Sequence, residues 1–216
     1  NSSCSSSGEH GDWDKAIKVM DMSTRISTRI AYHTECRILR KIQKFVQHPN
    51  IVQFYNRAML SRTMGVIVLE RLPSTTLKSY VEEEGVLAAA DVLRVMDQLA
   101  SAVYFLHRYQ VSPRDIKHEN ISIDPVTMHV KLFDFGLAID TEGGDCRHTS
   151  VQTGTWYFMA PEVLHGKIHD TYKADMWCLG QVLYYMLSGQ LMFVSCTNIK
   201  ELKALNNPEQ KTLSTL

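Results

Sequence analysis

The stretch DIKHEN at residues 115–120 places a proton acceptor and a cation in one short segment, and a second short motif, DFG, follows at residues 134–136. Asp115 is placed to accept the proton of an attacking hydroxyl group. Lys117 is placed to balance charge on a phosphoryl group in transfer. Phosphoryl transfer requires little covalent chemistry from the protein, because catalysis consists mostly of positioning the reactants and neutralising charge. Asp115 and Lys117 are therefore candidate catalytic residues for transfer from ATP.

The same two segments carry two further oxygen-bearing side chains, Asn120 and Asp134. Mg²⁺ is a hard cation that prefers oxygen ligands and keeps several of its waters when a protein binds it. Asn120 and Asp134 are therefore candidate metal ligands, and the sequence predicts a magnesium-dependent phosphoryl-transfer site.

Further short motifs flank these segments. They are AIK at residues 16–18, ECRIL at residues 35–39, Thr155, MAPE at residues 159–162 and DMWCLG at residues 175–180. Each alone is a weak signal, because short motifs have a real false-positive rate. In this order the motifs resemble those of the eukaryotic-type serine/threonine protein kinases, and the resemblance runs along nearly the whole chain.

The resemblance implies an α+β, bilobal protein-kinase-like fold, with a small strand-rich N-lobe that is incomplete and a larger helical C-lobe that is truncated. It implies ATP and Mg²⁺ as cofactors and a serine or threonine hydroxyl of a protein as the acceptor. Lys117 and Thr155 are typical of the serine/threonine branch. The cofactor-binding residues that the resemblance implies are Ala16, Lys18, Glu35, Glu70 and Leu72, with Lys18 paired to Glu35.

Two other roles come from the resemblance. Asp175 is implied to support the backbone of the catalytic loop, the segment that carries the DIKHEN motif at residues 115–120. An arginine at the position of Arg114 often meets a phosphate on the activation segment, which ends at Thr155 and the MAPE motif. The nearest suitable hydroxyls are Thr149 and Ser150. The position that the family most often phosphorylates is Val151, so phosphorylation and a pair of solvated hydroxyls both remain open.

The composition narrows the classes of partner and compartment. The chain has 216 residues, of which 44% are hydrophobic, enough for a sizeable core. Lys+Arg and Asp+Glu both total 23, so the charge gives no reason to expect nucleic acid or an anionic membrane as the main partner. Five scattered cysteines are typical of reduced thiols in a cytosolic or nuclear protein. No run of apolar residues is long enough to span a bilayer, and no signal peptide is visible in the sequence. The sequence leaves the oligomeric state open.

Composition also divides the chain. Residues 1–12 are polar and rich in Gly and Ser, which predicts a flexible segment, and a first residue other than Met indicates a piece of a longer chain. Residues 13–216 are the predicted kinase domain. It comprises a partial N-lobe at residues 13–70, a hinge at 71–74 and a partial C-lobe at 75–216.

Hydrophobic periodicity predicts the main elements. Helices are expected at residues 28–46, 92–106 and 199–205, and an apolar helix that is buried on nearly all faces is expected at 176–187. Residues 136–161 show little periodicity, which predicts a functional loop. Strands are expected at residues 16–20, 51–55, 65–70, 121–123 and 130–133.

The sequence departs from the family pattern in four places. The glycine-rich loop that covers the ATP phosphates is missing before Lys18. Pro113 stands where the family usually has His, which removes a backbone donor and the ring packing that helps hold Phe135. Ser122 stands where a large apolar residue usually lies under the adenine ring, so we expect weaker nucleotide binding. The last helices are absent, including the arginine that usually pairs with Glu162.

The sequence leaves more than one function open. The first is a serine/threonine protein kinase, favoured because every charged catalytic residue is retained. The alternative is a catalytically impaired pseudokinase or kinase fragment that acts as a protein-interaction module, favoured by Pro113, Ser122 and the missing loop. A kinase of small molecules is a weaker third possibility, because Thr155 and the APE at residues 160–162 argue for a protein substrate. Enzymes and binding modules share folds, so the fold does not decide.

Overall fold

The computed structural model describes residues 14–44, 47–143, 146–193, 196 and 199–205. The predicted flexible segment at residues 1–12 lies outside the described residues. Within them the chain forms a strand-rich N-terminal lobe and a helical C-terminal lobe, as the family resemblance implies.

Three antiparallel strands and one helix form the N-terminal lobe. They are β1 (Lys15–Asp21), α1 (Ile26–Gln43), β2 (Phe54–Met59) and β3 (Met64–Glu70). The strand order is β1-β3-β2. Strand β3 is central because its residues are apolar on both faces, so either face can be buried.

Helix α1 packs onto the sheet through one apolar face. Tyr32, Cys36 and Leu39 recur at helical spacing and are almost fully buried. The Tyr32 hydroxyl donates a hydrogen bond of 3.1 Å to the carbonyl of Ala58 on β2. The ring lies against Gly65 on β3, where an added Cβ would be only 2.6 Å from the ring atom Cε2. The close approach of helix and sheet therefore requires glycine at position 65.

Five helices and three two-stranded antiparallel sheets make up the described part of the C-terminal lobe. The helices are α2 (Leu77–Glu84), α3 (Ala89–Arg108), α4 (Pro161–Leu164), α5 (Thr171–Ser188) and α6 (Ile199–Leu205). The sheets pair β4 (Val111–Ser112) with β7 (Ile139–Asp140), β5 (Ile121–Ile123) with β6 (Val130–Leu132), and β8 (His148–Thr149) with β9 (His169–Asp170).

Helix α5 is the centre of this lobe. The side chain of Asp170 caps its first turn by accepting a 2.9 Å bond from the N–H of Tyr172, and Gly189 ends it with a left-handed φ of 70°. The prediction that α5 is buried on nearly all faces is wrong, because Met176 and Leu187 are exposed by 55% and 53%. The described elements that pack against α5 cover its opposite side. No helix in the described part of the chain has the length and apolar character that a membrane crossing requires.

The predicted strand at residues 51–55 is displaced along the chain. Strand β2 begins only at Phe54, whereas Ile51 forms an isolated parallel bridge with Leu132 on β6. The run that suggested one strand is therefore divided, because Ile51 pairs with the C-terminal lobe whereas Phe54 and Tyr55 begin strand β2. The predicted irregular segment at residues 136–161 contains two short strands, β7 and β8. The remaining predicted strands lie within two residues of the observed ones.

We expect Gly65→Ala to lower the free energy of unfolding, because the new Cβ overlaps the Tyr32 ring and forces the ring or the strand to move. Overpacking of this kind costs about 1–3 kcal/mol. Urea denaturation of the purified protein measures the effect. Gly180→Ala is the matched control, since an added Cβ there meets nothing within 4 Å. A Gly65→Ala variant as stable as the wild type would contradict the packing of α1 on β3.

Candidate active site

Lys18 on β1 reaches two carboxylates at the junction of the lobes. Its Nζ lies 2.7 Å from Oε2 of Glu35 on α1 and 3.1 Å from Oδ1 of Asp134. Burial raises the pKa of the fully buried Glu35, although Lys18 opposes this shift. Burial by itself would lower the pKa of Lys18, but the two carboxylates outweigh it and the pKa is raised. Lys18 is therefore held as a cation between the lobes.

Asp134 and Asn120 fit the chemistry of a magnesium site. The N–H of Phe133, the residue before Asp134, donates a 3.1 Å bond to the carbonyl of Asn120 and so ties the two segments together. The side-chain amide of Asn120 directs its nitrogen to Asp115, at 3.0 Å from the carbonyl and 3.1 Å from Oδ2. This orientation leaves the amide oxygen for another partner.

The donor set for a metal is small. The Asp134 side chain is 42% exposed, so its carboxylate is open to a ligand. No group of three or more His, Cys, Asp and Glu residues that could hold a metal occurs in the described residues. Mg²⁺ at this position would be held by the oxygens of Asn120 and Asp134 together with water and phosphate oxygens, an arrangement that this ion favours.

Asp115 is the centre of the catalytic loop. Its Oδ1 accepts bonds from the N–H and the hydroxyl of Thr155 at 2.9 Å and 2.8 Å. Its Oδ2 lies 2.9 Å from Nζ of Lys117, which also donates a 2.7 Å bond to the Thr155 hydroxyl. Each of the three side chains is therefore bonded to the other two, which fixes their geometry.

The activation segment ends in close contact with the catalytic loop. Gly154 has a φ of 118°, and an added Cβ would lie 2.7 Å from the carbonyl oxygen of Arg114. Only glycine suits both the conformation and the space. The next residue, Thr155, is thereby brought onto Asp115.

A buried carboxylate supports the loop from below, as the resemblance implies. Asp175 on α5 accepts bonds from the N–H of Arg114 at 3.0 Å, from the hydroxyl of Ser112 at 2.6 Å and from the ring of His107 at 2.8 Å. Burial raises the pKa of Asp175, against the opposing effect of these bonds. Arg114 has a φ of 60°, a conformation that residues with side chains rarely adopt. The bonds to Asp175 therefore hold a strained backbone next to Asp115.

Comparison with known proteins decides the family. Residues 8–214 match the family model for the protein kinase domain. The chain belongs to the protein kinase family. Similar proteins include CBL-interacting serine/threonine-protein kinase 3 of Arabidopsis thaliana, 34% identical over 82% of this chain and 40% of that protein. They also include serine/threonine-protein kinase PrkC of Bacillus subtilis, 31% identical over 84% of this chain and 27% of that protein.

A third relative extends further along the chain. Serine/threonine-protein kinase fused of Drosophila melanogaster is 32% identical over 93% of this chain and 24% of that protein. The kinase chain thus spans between about a quarter and two-fifths of the length of these relatives.

The kinase domain has a cavity of about 240 Å³ between the lobes. Its lining includes Ala16 on β1, Glu70 at the end of β3 and Leu72 in the hinge, three of the residues that the resemblance implied. The Glu70 carboxylate is bonded to Lys131 at 2.6 Å and to the N–H of Gln53 at 3.0 Å. A contact from Glu70 to a nucleotide would therefore come from its backbone.

Ser122 lines the same cavity and differs from the family pattern. Its side chain is almost completely buried, and its hydroxyl donates a 3.0 Å bond to the carbonyl of Pro73 in the hinge. The polar group is thus satisfied by the protein itself. The serine leaves the cavity with less apolar surface than a large aliphatic residue would give it.

Phe135 is buried although no histidine stands at position 113. It is 1% exposed and belongs to the main hydrophobic core.

The sequence did not predict three ion pairs that position the site residues. Lys41 on α1 lies 2.5 Å from Asp140 and 3.1 Å from Glu142 on the segment after β6. Burial opposes ionisation of Asp140, but the bonds from Lys41 and from the N–H of Glu142, together with the nearby positive charges, outweigh it and the pKa is lowered. Lys78 on α2 lies 3.0 Å from Glu119 in the catalytic loop. No sequence signal marks these pairs, since their members lie far apart in the chain.

The structure brings the candidate site residues together in three neighbouring groups. The first joins the lobes, the second lies in the catalytic loop and includes the candidate metal ligand Asn120, and the third lines the cavity. The first group is Lys18, Glu35 and Asp134. The second group is Asp115, Lys117 and Asn120, and the third is Ala16, Glu70 and Leu72.

We expect Ser122→Leu to tighten ATP binding by about fivefold, measured by calorimetry. A buried leucine side chain gains about 1.5–3 kcal/mol, whereas the lost bond to Pro73 costs about 1 kcal/mol. Ser122→Ala removes the same bond without filling the cavity, so it should leave ATP affinity unchanged or weaker. If Ser122→Leu folds normally and binds ATP no better than wild type, Ser122 does not lie under the nucleotide.

Proposed function

We propose that the complete protein is an ATP-dependent serine/threonine protein kinase, which transfers the γ-phosphoryl group of ATP to a serine or threonine hydroxyl of a protein. The observation that carries the proposal is the bonding of Asp115 to both Lys117 and Thr155, with Asn120 on the same carboxylate. A proton acceptor, a cation and a metal ligand are thereby fixed in one loop. Phosphoryl transfer requires this combination.

Each residue has a separate task in the proposed reaction. Asp115 accepts the proton of the acceptor hydroxyl as the new phosphorus–oxygen bond forms. Lys117 neutralises negative charge on the transferred group. Lys18, fixed by Glu35, binds phosphate oxygens of ATP. Asn120 and Asp134 hold Mg²⁺, which supplies positive charge to the phosphates when bound.

The ion pair between Lys18 and Asp134 is the contact that nucleotide binding would break. The two side chains lie 3.1 Å apart and neutralise each other in part. In the presence of a nucleotide with its metal, Lys18 would bind phosphate oxygens in place of Asp134, and the Asp134 carboxylate would be free to hold the metal. The direct pair therefore prepares both groups for a nucleotide with its metal.

The choice of a protein hydroxyl rests on Thr155. Its hydroxyl bonds both Asp115 and Lys117, so the activation segment is seated directly at the proton acceptor. A peptide that binds along this segment would present its hydroxyl to Asp115.

We also place the protein in the cytoplasm or nucleus, which is supported by the free thiols of Cys36, Cys146, Cys178 and Cys196.

We expect Asp115→Asn to lower kcat by at least about 100-fold, because general base catalysis contributes about 10²–10⁴. Asp134→Asn should abolish magnesium-dependent turnover. The assay is transfer of radiolabelled phosphate from ATP to a generic protein substrate by the complete protein. Asp124→Asn is the matched control, since Asp124 only caps an exposed turn through Val126 and Thr127.

The proposal fails if folded wild-type protein shows no more turnover than Asp115→Asn. It also fails if Asp124→Asn reduces turnover as much as the two site variants do.

A further inference from the structure

The buried carboxylate of Asp175 depends on three donors from the C-terminal lobe. Its Oδ1 accepts the N–H of Arg114 at 3.0 Å. Its Oδ2 accepts the hydroxyl of Ser112 at 2.6 Å and faces Nε2 of His107 at 2.8 Å. The Asp175 side chain is only 1% exposed, so water contributes little to its solvation. Each of the three bonds therefore matters to a charge that is costly to bury.

Pro113 interrupts the backbone between two of these donors. It lies between Ser112 and Arg114, and as a proline it has no N–H. The bonds that this segment makes to Asp175 therefore come from the residues on either side of the proline. In this chain the neighbouring hydroxyl makes the bond to the second carboxylate oxygen. The Ser112 side chain is completely buried, so the hydroxyl has no competing solvent partner.

We propose that Ser112 is a positioning residue for phosphoryl transfer, whose hydroxyl supplies the bond to Asp175 that Pro113 cannot. The inference rests on the proposed kinase function, because its consequence is the placement of Asp115. The presence of Pro113 is then compatible with an active catalytic loop, since the serine beside it supplies a donor to Asp175 that proline lacks.

The path from Ser112 to the proton acceptor is short. Ser112 ends strand β4, and Arg114 follows with the left-handed φ of 60°. Asp115 is attached directly to this strained residue. If the bond from Ser112 is lost, Oδ2 of Asp175 retains only His107, and the carboxylate is free to shift. A shift of Asp175 would release Arg114 and displace Asp115 from Thr155.

The test compares side chains of the same size that differ in the hydroxyl. Ser112→Thr keeps the donor, whereas Ser112→Val has the shape of threonine without it. Both are made in the complete protein, and Ser112→Val is also made together with Pro113→Ala, which returns a backbone N–H at position 113. The readouts are kcat, KM for ATP, and hydrogen exchange of the catalytic-loop peptide by mass spectrometry.

We expect Ser112→Val to lower kcat by about tenfold, as is typical for loss of a bond to a buried charge, with KM for ATP changed by less than about twofold. Ser112→Thr should stay within about threefold of the wild type in kcat. On the Pro113→Ala background, Ser112→Val should cost less than about threefold relative to Pro113→Ala alone, because the new N–H takes over the bond.

Two results would overturn the inference. Equal losses in Ser112→Thr and Ser112→Val would show that size, not the hydroxyl, matters at position 112. An equal cost of Ser112→Val with and without Pro113→Ala would show that the serine does not replace a backbone donor.

Hydrogen exchange separates this inference from the kinase proposal. If no variant and no wild-type protein transfers phosphate, the kinase proposal fails, but exchange still decides the role of Ser112. Faster exchange around Arg114 in Ser112→Val than in Ser112→Thr supports the bond to Asp175. Identical exchange in the two variants contradicts it.

Discussion

The burial of the Asp175 carboxylate is the constraint on which the catalytic loop depends. A charge removed from water must be fully bonded, and Asp175 is bonded by groups from α3, from β4 and from the loop itself. Helix α5 therefore fixes the backbone that leads into Asp115. The strained φ of Arg114 is maintained because the surrounding bonds leave that segment no alternative. The packing of α5 in the core of the C-terminal lobe therefore determines the position of Asp115, the proposed proton acceptor.

Helix α1 links the N-terminal sheet to the segment after β6 through two ion pairs. Glu35 binds Lys18, and Lys41 binds Asp140 on the segment that also carries Asp134. A rotation or displacement of α1 would break both pairs at once. Because the pairs are partly buried, their attraction is screened less than that of a surface pair. The orientation of α1 thus sets the distance between Lys18 and Asp134, the proposed phosphate-binding and metal-binding residues.

The sequence predicted the elements and the charged groups of the site because both are encoded locally. Periodicity identified α1 and α3, and motif order identified Lys18 and Asp115. The support of the site could not be predicted, because Ser112 meets Asp175 across 63 residues and Lys41 meets Asp140 across 99 residues. Local patterns do not specify which distant side chains meet. The exposed stripe of α5 was missed for the same reason, since an apolar sequence shows which faces can be buried and not which neighbours cover them.

The most direct measurement is the affinity for ATP with and without Mg²⁺, determined by calorimetry for the wild type and for Asp134→Asn. If Lys18 and Asp134 exchange their direct pair for phosphate and metal, Mg²⁺ should tighten ATP binding by at least about tenfold in the wild type and have little effect in Asp134→Asn. An equal effect of Mg²⁺ on both proteins, or ATP binding that Mg²⁺ leaves unchanged, would contradict a site in which Asp134 holds the metal of the nucleotide.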